Sequence, residues 1–400
     1  MIALLALWFF VPSLLMVGFS LSSMAAGIIA VACAVVAATV SVGAGQRIGR
    51  VYPLLLGVAV LSVVVSVHWV GQPLAAKQLI SIAAFVILAI GATTLFHAFF
   101  SQGYEEIGVQ LKRLYLLLLL IGFVGVVYPL RIGAYAKLNH PVVPFSEPSH
   151  FALAYSQVAV MLLPFLRRSR QYLVILASLV LAITFPNTTM LVVAVMLMAV
   201  VAPLWLIGSS IAIAIPVVAW LLVAAPEWSS YFSDRISTDN NDNLSRLVYL
   251  QGWESLVLAN SSTGGLGIGF QNLGNEPEGV ASELISKLLN AELNRADGGF
   301  MLAKIGGEFG CFGIALSALL LLLATRAGLR LRKCIRLGFS KGDVLELLPL
   351  GSLYMFIVEL MVRGMGYFSP SFILVLYFLP SVLPAMRICA ERNNVVRELG

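Results

Sequence analysis

Residues 114–130 have the sequence LYLLLLLIGFVGVVYPL, which carries no charge and lies between Lys112-Arg113 and Arg131. As a helix this stretch would rise about 25 Å, close to the ~30 Å hydrocarbon core of a bilayer. Lipid offers the backbone no hydrogen-bond partners, so a segment that crosses it must satisfy its own amides and carbonyls. The stretch therefore predicts a membrane-spanning helix.

The whole chain has the composition of a membrane protein. Of its 400 residues, 60% are hydrophobic and only 11% are charged, whereas a soluble domain carries roughly 25% charged residues. Apolar blocks of spanning length predict an all-α polytopic membrane protein, a single membrane domain over residues 1–400 with about twelve transmembrane helices. The predicted spans are 3–19, 22–42, 52–69, 78–99, 114–130, 150–166, 172–186, 189–207, 210–225, 299–325, 344–362 and 368–387.

Basic residues predict the orientation, because Lys and Arg are enriched in cytoplasmic loops. Sixteen of the 25 Lys and Arg residues fall on alternate connections and in the C-terminal tail. Both termini are therefore predicted to be cytoplasmic. Two long connections are then periplasmic: residues 131–149, and residues 226–297 between the ninth and tenth spans. The second contains two amphipathic helical stretches, 244–258 and 281–293.

Cysteine spacing and charge distribution argue against several kinds of site. Cys33 and Cys311 lie inside apolar blocks, and Cys334 and Cys389 lie in basic segments, so no disulfide framework is predicted. No ligand-type residues have zinc spacing, and neither a metal nor another cofactor is expected. The formal charge of +6 is divided among loops, as topology requires, and does not indicate a nucleic-acid partner.

Four arginines on the predicted periplasmic side are candidate phosphate ligands: Arg131, Arg246, Arg295 and Arg363. A guanidinium group is planar, permanently charged and suited to bidentate contact with phosphate oxygens. The alternative for each is a solvated loop charge or a contact with lipid headgroups. Arg246 is favoured because it precedes a glycine cluster, STGGLGIGF (residues 262–270), whose backbone can approach a phosphate closely.

A charged pair, Lys304 and Glu308, lies inside the predicted tenth span. Their four-residue spacing puts both side chains on one helical face. An intramembrane charge costs about 2.5–3.5 kcal/mol, so the pair is expected to face the protein interior or a wet cavity. Two interpretations remain open: a catalytic or substrate-binding pair, or an ion pair that only fixes helix packing. Neighbouring glycines are compatible with both, because small residues let helices approach closely.

Titratable residues also lie where the first long loop meets the sixth span, in PFSEPSHFA, residues 144–152. Glu147 and His150 are suitable in kind for proton transfer. Glu147 is preferred, because a lone histidine at a membrane boundary is more often a hydrogen-bonding anchor. Ser149 is a candidate cap for the helix that follows, and capping alone is the competing interpretation of this segment.

Taken in order, these segments resemble a known family. They are FSEPSHFA (145–152), Ser245-Arg246 followed by Trp253, GGLGIGF (264–270), and DGGF (297–300) leading into EFGCFG (308–313). Their order and topological placement are similar to those of the O-antigen polymerase (Wzy-type) family of bacterial surface-polysaccharide assembly, within the wider group that includes the O-antigen ligases. The resemblance covers residues 131–313, and the rest of the chain only in its number of helices.

The resemblance implies a GT-C-like glycosyltransferase of the bacterial inner (cytoplasmic) membrane, with an active site facing the periplasm and no metal or cofactor. It would transfer a growing glycan from undecaprenyl pyrophosphate onto a new lipid-linked repeat unit, with a chain-length-regulating co-polymerase as a partner. It also implies essential outer-loop arginines, which correspond to Arg131 and Arg246.

The chemistry of that transfer assigns expected roles to the candidate residues. Fixed cations would stabilise the departing pyrophosphate, and a carboxylate would align or deprotonate the acceptor hydroxyl. The candidate catalytic residues are Glu147, Arg246, Asp297 and Glu308. The candidate pyrophosphate-binding residues are Arg131, His150, Arg246, Arg295, Lys304 and Arg363.

Two other functions remain open. An O-antigen ligase would transfer the glycan to lipid A-core, but the ligases have an essential histidine late in the long loop, where this chain has Asp297-Gly298-Gly299. A flippase or transporter of lipid-linked oligosaccharide would also have twelve helices. It would be expected to carry more charge at the midplane and to lack an outer loop of this length.

Overall fold

The computed structural model describes residues 2–21, 24–41, 76–128, 130–137, 141–185, 187–203, 205, 208, 243–337 and 344–398. Within these residues the protein is helical, and β geometry is confined to one isolated bridge between Val142 and Phe145. The described α-helices are α1 (Ile2–Gly18), α2 (Met24–Ser41), α3 (Ala76–Phe100), α4 (Tyr104–Val127), α5 (Pro148–Leu162), α6 (Arg168–Thr184), α7 (Thr188–Val201), α8 (Leu244–Ser262), α9 (Val280–Leu289), α10 (Met301–Leu337), α11 (Val344–Met361) and α12 (Pro370–Glu398).

Four of the described helices have the length and composition to cross a membrane: α3, α4, residues Met301–Arg336 of α10, and α11. Parts or all of α1, α2, α7 and α12 are also apolar but shorter. The all-α class predicted from composition is therefore consistent with the structure. The number of twelve spans, the orientation and a GT-C-like architecture remain predictions. Predicted spans 52–69 and 210–225, and residues 226–242 of the long loop, lie outside the described residues.

Three helices extend well beyond their predicted apolar blocks, and one of them is α12, which continues to Glu398 rather than ending at 387. α4 begins at Tyr104 rather than at residue 114, and α10 continues to Leu337 rather than ending at 325. Hydropathy detects only the apolar part of a helix, whereas Lys, Arg and Glu are themselves good helix formers. Glu105 and Glu106 in the first turn of α4 are also favourable beside the positive end of the helix dipole.

The central helix is α5, in which every residue from Phe151 to Leu162 is buried. It packs against α4, α7 and α11. Polar bonds join it to these neighbours: the Tyr155 hydroxyl lies 3.0 Å from that of Tyr115 on α4, and Ser352 on α11 donates to the side chain of Gln157 at 2.8 Å. Satisfied buried polar groups restrict which helices can be adjacent. The N-terminus of α5 is thereby held at a defined place.

α10 is interrupted at Gly310, whose backbone (φ 62°, ψ −142°) is not helical. A break in a helix leaves amides and carbonyls without intrahelical partners. The glycine loop, residues 264–269, supplies those partners. The hydrogen bonds are Ile268 N to Gly307 O at 3.0 Å, Gly269 N to Glu308 O at 2.8 Å and Cys311 N to Gly265 O at 2.8 Å.

The glycine loop therefore approaches the backbone of α10 closely. A Cβ on Gly310 would clash with the carbonyl oxygen of Gly265 and would lie 2.6 Å from the nitrogen of Gly267. The sequence predicted a close approach at this loop, but to a phosphate beside Arg246. In the structure the glycine loop approaches the backbone of α10 instead, so the glycines are needed for packing against that helix.

The two predicted amphipathic stretches, 244–258 and 281–293, contain the helices α8 and α9, although α9 ends at Leu289 rather than at 293. Tyr249 and Trp253 of α8 pack on Phe300, with ring centroids 4.9 and 5.1 Å from that of Phe300. Val248 of α8 and Ile285 of α9 belong to one small buried cluster. These contacts hold α8 against Phe300, the residue before α10, and α9 against α8.

Candidate functional site

Three segments that are distant in sequence meet near the N-terminal ends of α5 and α10. They are the turn before α5, the turn at Asp297–Gly299 with the first turns of α10, and residues 362–369 between α11 and α12. We call the side chains that they bring together the polar cluster: Glu147, His150, Asp297, Lys304, Glu308, Arg363 and Tyr367.

Glu147 is the N-cap residue of α5 and the partner of Arg363. Its Oε1 accepts a hydrogen bond from Nη2 of Arg363 at 2.8 Å and another from the hydroxyl of Ser149. Burial raises the pKa of Glu147, but the charges of Arg363 and His150 and the Ser149 bond lower it by more, and the pKa lies well below its usual range. The carboxylate is therefore ionised. The predicted capping role of Ser149 is wrong in detail, because Ser149 supports the cap residue.

His150 is held at both ring nitrogens. Its Nε2 lies 3.2 Å from Oε1 of Glu147, and its Nδ1 lies 2.8 Å from the hydroxyl oxygen of Ser146. A ring held on both sides orients its neighbours and has no nitrogen left for a substrate proton. This geometry favours the anchoring interpretation of His150 over a role as base.

The predicted Lys304–Glu308 pair is present and faces the protein interior. Nζ of Lys304 lies 3.2 Å from Oε1 of Glu308 and 3.9 Å from Oδ1 of Asp297. It also donates to the carbonyl of Ala296 at 2.5 Å. The side chain of Lys304 is 2% exposed and that of Glu308 is 0% exposed. Glu308 is therefore shielded from any bound molecule by the residues around it.

Tyr367 completes the buried part of the cluster and was not predicted. Its hydroxyl donates to Oε2 of Glu308 at 2.8 Å, and its ring centroid lies 5.2 Å from Nζ of Lys304. Burial, followed by the neighbouring Glu308 carboxylate, raises the pKa of Tyr367 well above its ordinary value. The hydroxyl thus keeps its proton and acts as a donor. A contact across 59 residues leaves no local pattern in a single sequence.

Glycines shape the backbone around Asp297. Gly298, Gly299 and Gly366 have φ of 67°, 72° and 70°, a region that costs other residues about 1–3 kcal/mol each. The N–H of Gly364 donates to the carbonyl of Gly299 at 2.8 Å. A Cβ on Gly366 would lie 3.0 Å from Oδ1 of Asp297. The turn therefore fixes Asp297 against the segment that carries Arg363.

The two halves of the cluster differ in accessibility. The side chains of Asp297 and Glu147 are 47% and 39% exposed, and that of Arg363 is 19% exposed. Asp297 is close enough to His150 for a direct electrostatic interaction, which links the two halves. A bound molecule would thus meet one guanidinium group and two carboxylates, with the buried Lys304 behind them.

Arg295, a predicted phosphate ligand, lies outside the polar cluster in a cage of acidic residues. Its Nη1 lies 3.0 Å from Glu278 and 3.4 Å from Glu292, and it donates through Nη2 to the carbonyl of Glu276. Its side chain is only 10% exposed. These contacts indicate that Arg295 ties together the loop between α9 and α10.

Arg131 and Arg246 also lie outside the polar cluster as defined. Arg131 is exposed and precedes a 3₁₀ turn at Gly133–Lys137. Arg246 is half-buried in the first turn of α8, where its backbone N–H donates to the side chain of Asn243 at 3.2 Å. Two residues further on, the carbonyl of Val248 packs against Gly299, so α8 begins beside the Asp297 turn.

A second buried carboxylate was also missed by the sequence analysis. Glu359 on α11 is 1% exposed and accepts a hydrogen bond from the hydroxyl of Ser371. Ser371 lines a cavity of about 10 Å³ together with His150 and Ser13. That volume suits about one water molecule. The polar interior thus continues from the cluster into the α11–α12 interface.

Among the described residues, no three or more His, Cys, Asp or Glu side chains are arranged to hold a metal ion. Comparison of the chain with family models, with curated proteins and with solved structures found no match.

Proposed function

We propose that this chain is a glycosyltransferase that polymerises undecaprenyl-pyrophosphate-linked O-antigen repeat units on the periplasmic face of a bacterial inner membrane. The observation that carries the proposal is the polar cluster. Segments 145–152 and 297–313, which carry the resemblance to the polymerase family, lie about 150 residues apart. Both contact the segment between α11 and α12, Glu147 through Arg363 and Glu308 through Tyr367.

Arg363 is the proposed ligand for the donor's pyrophosphate. Among the described residues, Arg363 makes its side-chain contacts through Nη2, which lies 2.8 Å from Oε1 of Glu147. That leaves Nε and Nη1 for the paired oxygens of a phosphate. An ion pair that fixes the guanidinium in advance is the arrangement that stabilises a departing anion, because no reorganisation is needed during the reaction.

The positive charge of Lys304 is proposed to stabilise the departing pyrophosphate from a buried position. Its ammonium group is buried beside Asp297, and a buried charge acts across a lower dielectric than water. Arg246 is proposed as a further contact for the donor's phosphates and sugars, since α8 begins beside the Asp297 turn. Arg131 is proposed for the same role from the family resemblance. The proposed reaction needs no metal or cofactor, and a chain-length-regulating co-polymerase is the proposed partner.

The test is the lipopolysaccharide ladder of a deletion strain. Loss of a polymerase leaves single repeat units on core, loss of a ligase leaves long polymer on undecaprenyl, and loss of a flippase leaves no surface unit. We expect the first pattern, and either of the others would refute the proposal. Complementation with Arg363→Ala should restore few long chains. The control is Arg168→Ala, which removes an equal charge from an exposed position on the predicted cytoplasmic side.

A further inference from the structure

The polar cluster contains three carboxylates, Glu147, Asp297 and Glu308, and they differ in whether a substrate could use them as a base. A general base must be able to reach the proton that it removes. It must also be basic enough to accept that proton. Glu308 fails the first requirement, because its side chain is 0% exposed and is enclosed by Lys304 and Tyr367.

Glu147 meets the first requirement but not the second. It is 39% exposed, yet its Oε1 is shared by Arg363, Ser149 and His150. These partners stabilise the ionised form and lower the pKa of Glu147 well below its usual range. A carboxylate held in this way is a weak proton acceptor, and its geometry suits the orientation of Arg363.

Asp297 meets the first requirement, and its contact with its cationic partner is longer than that of Glu147. Its side chain is 47% exposed, and its ion pair with Lys304 is long, at 3.9 Å. The Gly298-Gly299 turn and the close approach of Gly366 fix its position, because only glycine adopts these positive φ values without strain. Lys304 in turn is fixed by Glu308, and Glu308 by Tyr367.

We propose that Asp297 is the general base that deprotonates the acceptor hydroxyl, an assignment that rests on the proposed function. The O–H bond of the acceptor sugar breaks, and its proton passes to the carboxylate of Asp297. The hydroxyl oxygen forms a bond to the anomeric carbon of the donor glycan. The bond from that carbon to the phosphate oxygen breaks, and its electron pair leaves with undecaprenyl pyrophosphate beside Arg363.

Lys304, Glu308 and Tyr367 are then positioning residues. Lys304 orients the Asp297 carboxylate, while Glu308 compensates the buried charge of Lys304 and is itself held by Tyr367. This chain of contacts explains why a charged pair is retained inside a long apolar helix without being open to the substrate.

The experiment uses the full-length purified protein in liposomes, with single-unit undecaprenyl-pyrophosphate oligosaccharide extracted from the deletion strain. Asp297→Asn keeps the shape of the side chain and should lower kcat by roughly 100–10,000-fold. Binding of the lipid-linked donor should change less than threefold. The matched control is Glu283→Gln, because Glu283 is 56% exposed and forms a similar 3.8 Å ion pair with Lys287.

A second variant distinguishes a base from a structural residue. Asp297→Ala should regain activity when formate is added, since a small carboxylate can occupy the vacated position, whereas formate should not accelerate the wild type. Lost activity without formate rescue, accompanied by weakened donor binding, would overturn the assignment. So would near-normal kcat in Asp297→Asn.

Failure of this inference is distinguishable from failure of the proposed function. If the wild-type protein polymerises the substrate and Asp297→Asn does so equally well, only the identity of the base is wrong. If correctly folded wild-type protein forms no polymer, the proposed function itself fails.

Discussion

Replacement of Gly310 by alanine tests how the glycine loop joins α10. Gly310 has φ 62°, and its new Cβ would clash with the carbonyl oxygen of Gly265. The contacted atoms are backbone, which cannot rotate away as a side chain can. The glycine loop to which Gly265 belongs makes the three hydrogen bonds that close the break in α10.

The expected cost has two parts. The backbone conformation costs a non-glycine residue about 1–3 kcal/mol, and overpacking costs about 1–3 kcal/mol more, so Gly310→Ala should lose about 2–6 kcal/mol. Gly264→Ala isolates the first part, because Gly264 has φ 61° but nothing within 4 Å of its added Cβ. Gly18→Ala is a control in which neither cost arises, because Gly18 has an ordinary φ and nothing lies within 4 Å of its added Cβ. Its effect on stability should stay within about 0.5 kcal/mol.

The assay is the thermal midpoint of the detergent-purified protein, followed by fluorescence-detected size exclusion. The expected order of stability is wild type and Gly18→Ala, then Gly264→Ala, then Gly310→Ala. Equal stability of Gly310→Ala and Gly264→Ala would refute the reasoning, because it would mean that the glycine loop does not fill the break.

Three further predictions follow from the polar cluster and the orientation. Glu308→Gln should cost about 3–5 kcal/mol and reduce the folded amount, since it leaves the buried ammonium of Lys304 without its nearest carboxylate. Lys304→Met together with Glu308→Gln should recover much of the loss, and a normal amount of the single variant would contradict a packing role. The stability advantage of the wild type over Glu147→Gln should be constant above about pH 4.5 and shrink as the pH falls below it, because folding lowers the pKa of Glu147; an advantage that grows in acid would contradict this sign. Cysteine at Ser261 in a cysteine-free protein should be labelled by an impermeant maleimide in intact spheroplasts, while cysteine at Ser169 should not, and the reverse result would invert the orientation.

Features that depend on local spacing could be predicted from the sequence. The hydrophobic blocks predict the helical class. The four-residue spacing of Lys304 and Glu308 predicts that both side chains lie on one face of a helix. Glu147 and His150 were singled out from one short segment, and they do interact. In each case the relevant partners lie within one helical turn, where the period of the backbone determines the geometry.

Features that depend on packing could not be predicted. Arg363 was a candidate because of its charge, but its pairing with Glu147 spans 216 residues. Tyr367 and Ser371 carry no charge and follow no motif, so nothing distinguished them from other loop residues. From the sequence, the glycine loop is predicted to approach a phosphate, because glycines allow the backbone to come close to any neighbouring group. Only the structure shows that the neighbouring group is the break in α10.

The most direct test of the proposed function is the stoichiometry of the purified reaction. Wild-type protein in liposomes is supplied with single-unit undecaprenyl-pyrophosphate oligosaccharide, and polymer length and released undecaprenyl pyrophosphate are measured together. We predict a ladder of products with one undecaprenyl pyrophosphate released for each glycosidic bond formed, and little of either from Arg363→Ala. Movement of intact lipid-linked units across the bilayer without release of pyrophosphate, or no product from folded protein, would contradict the account.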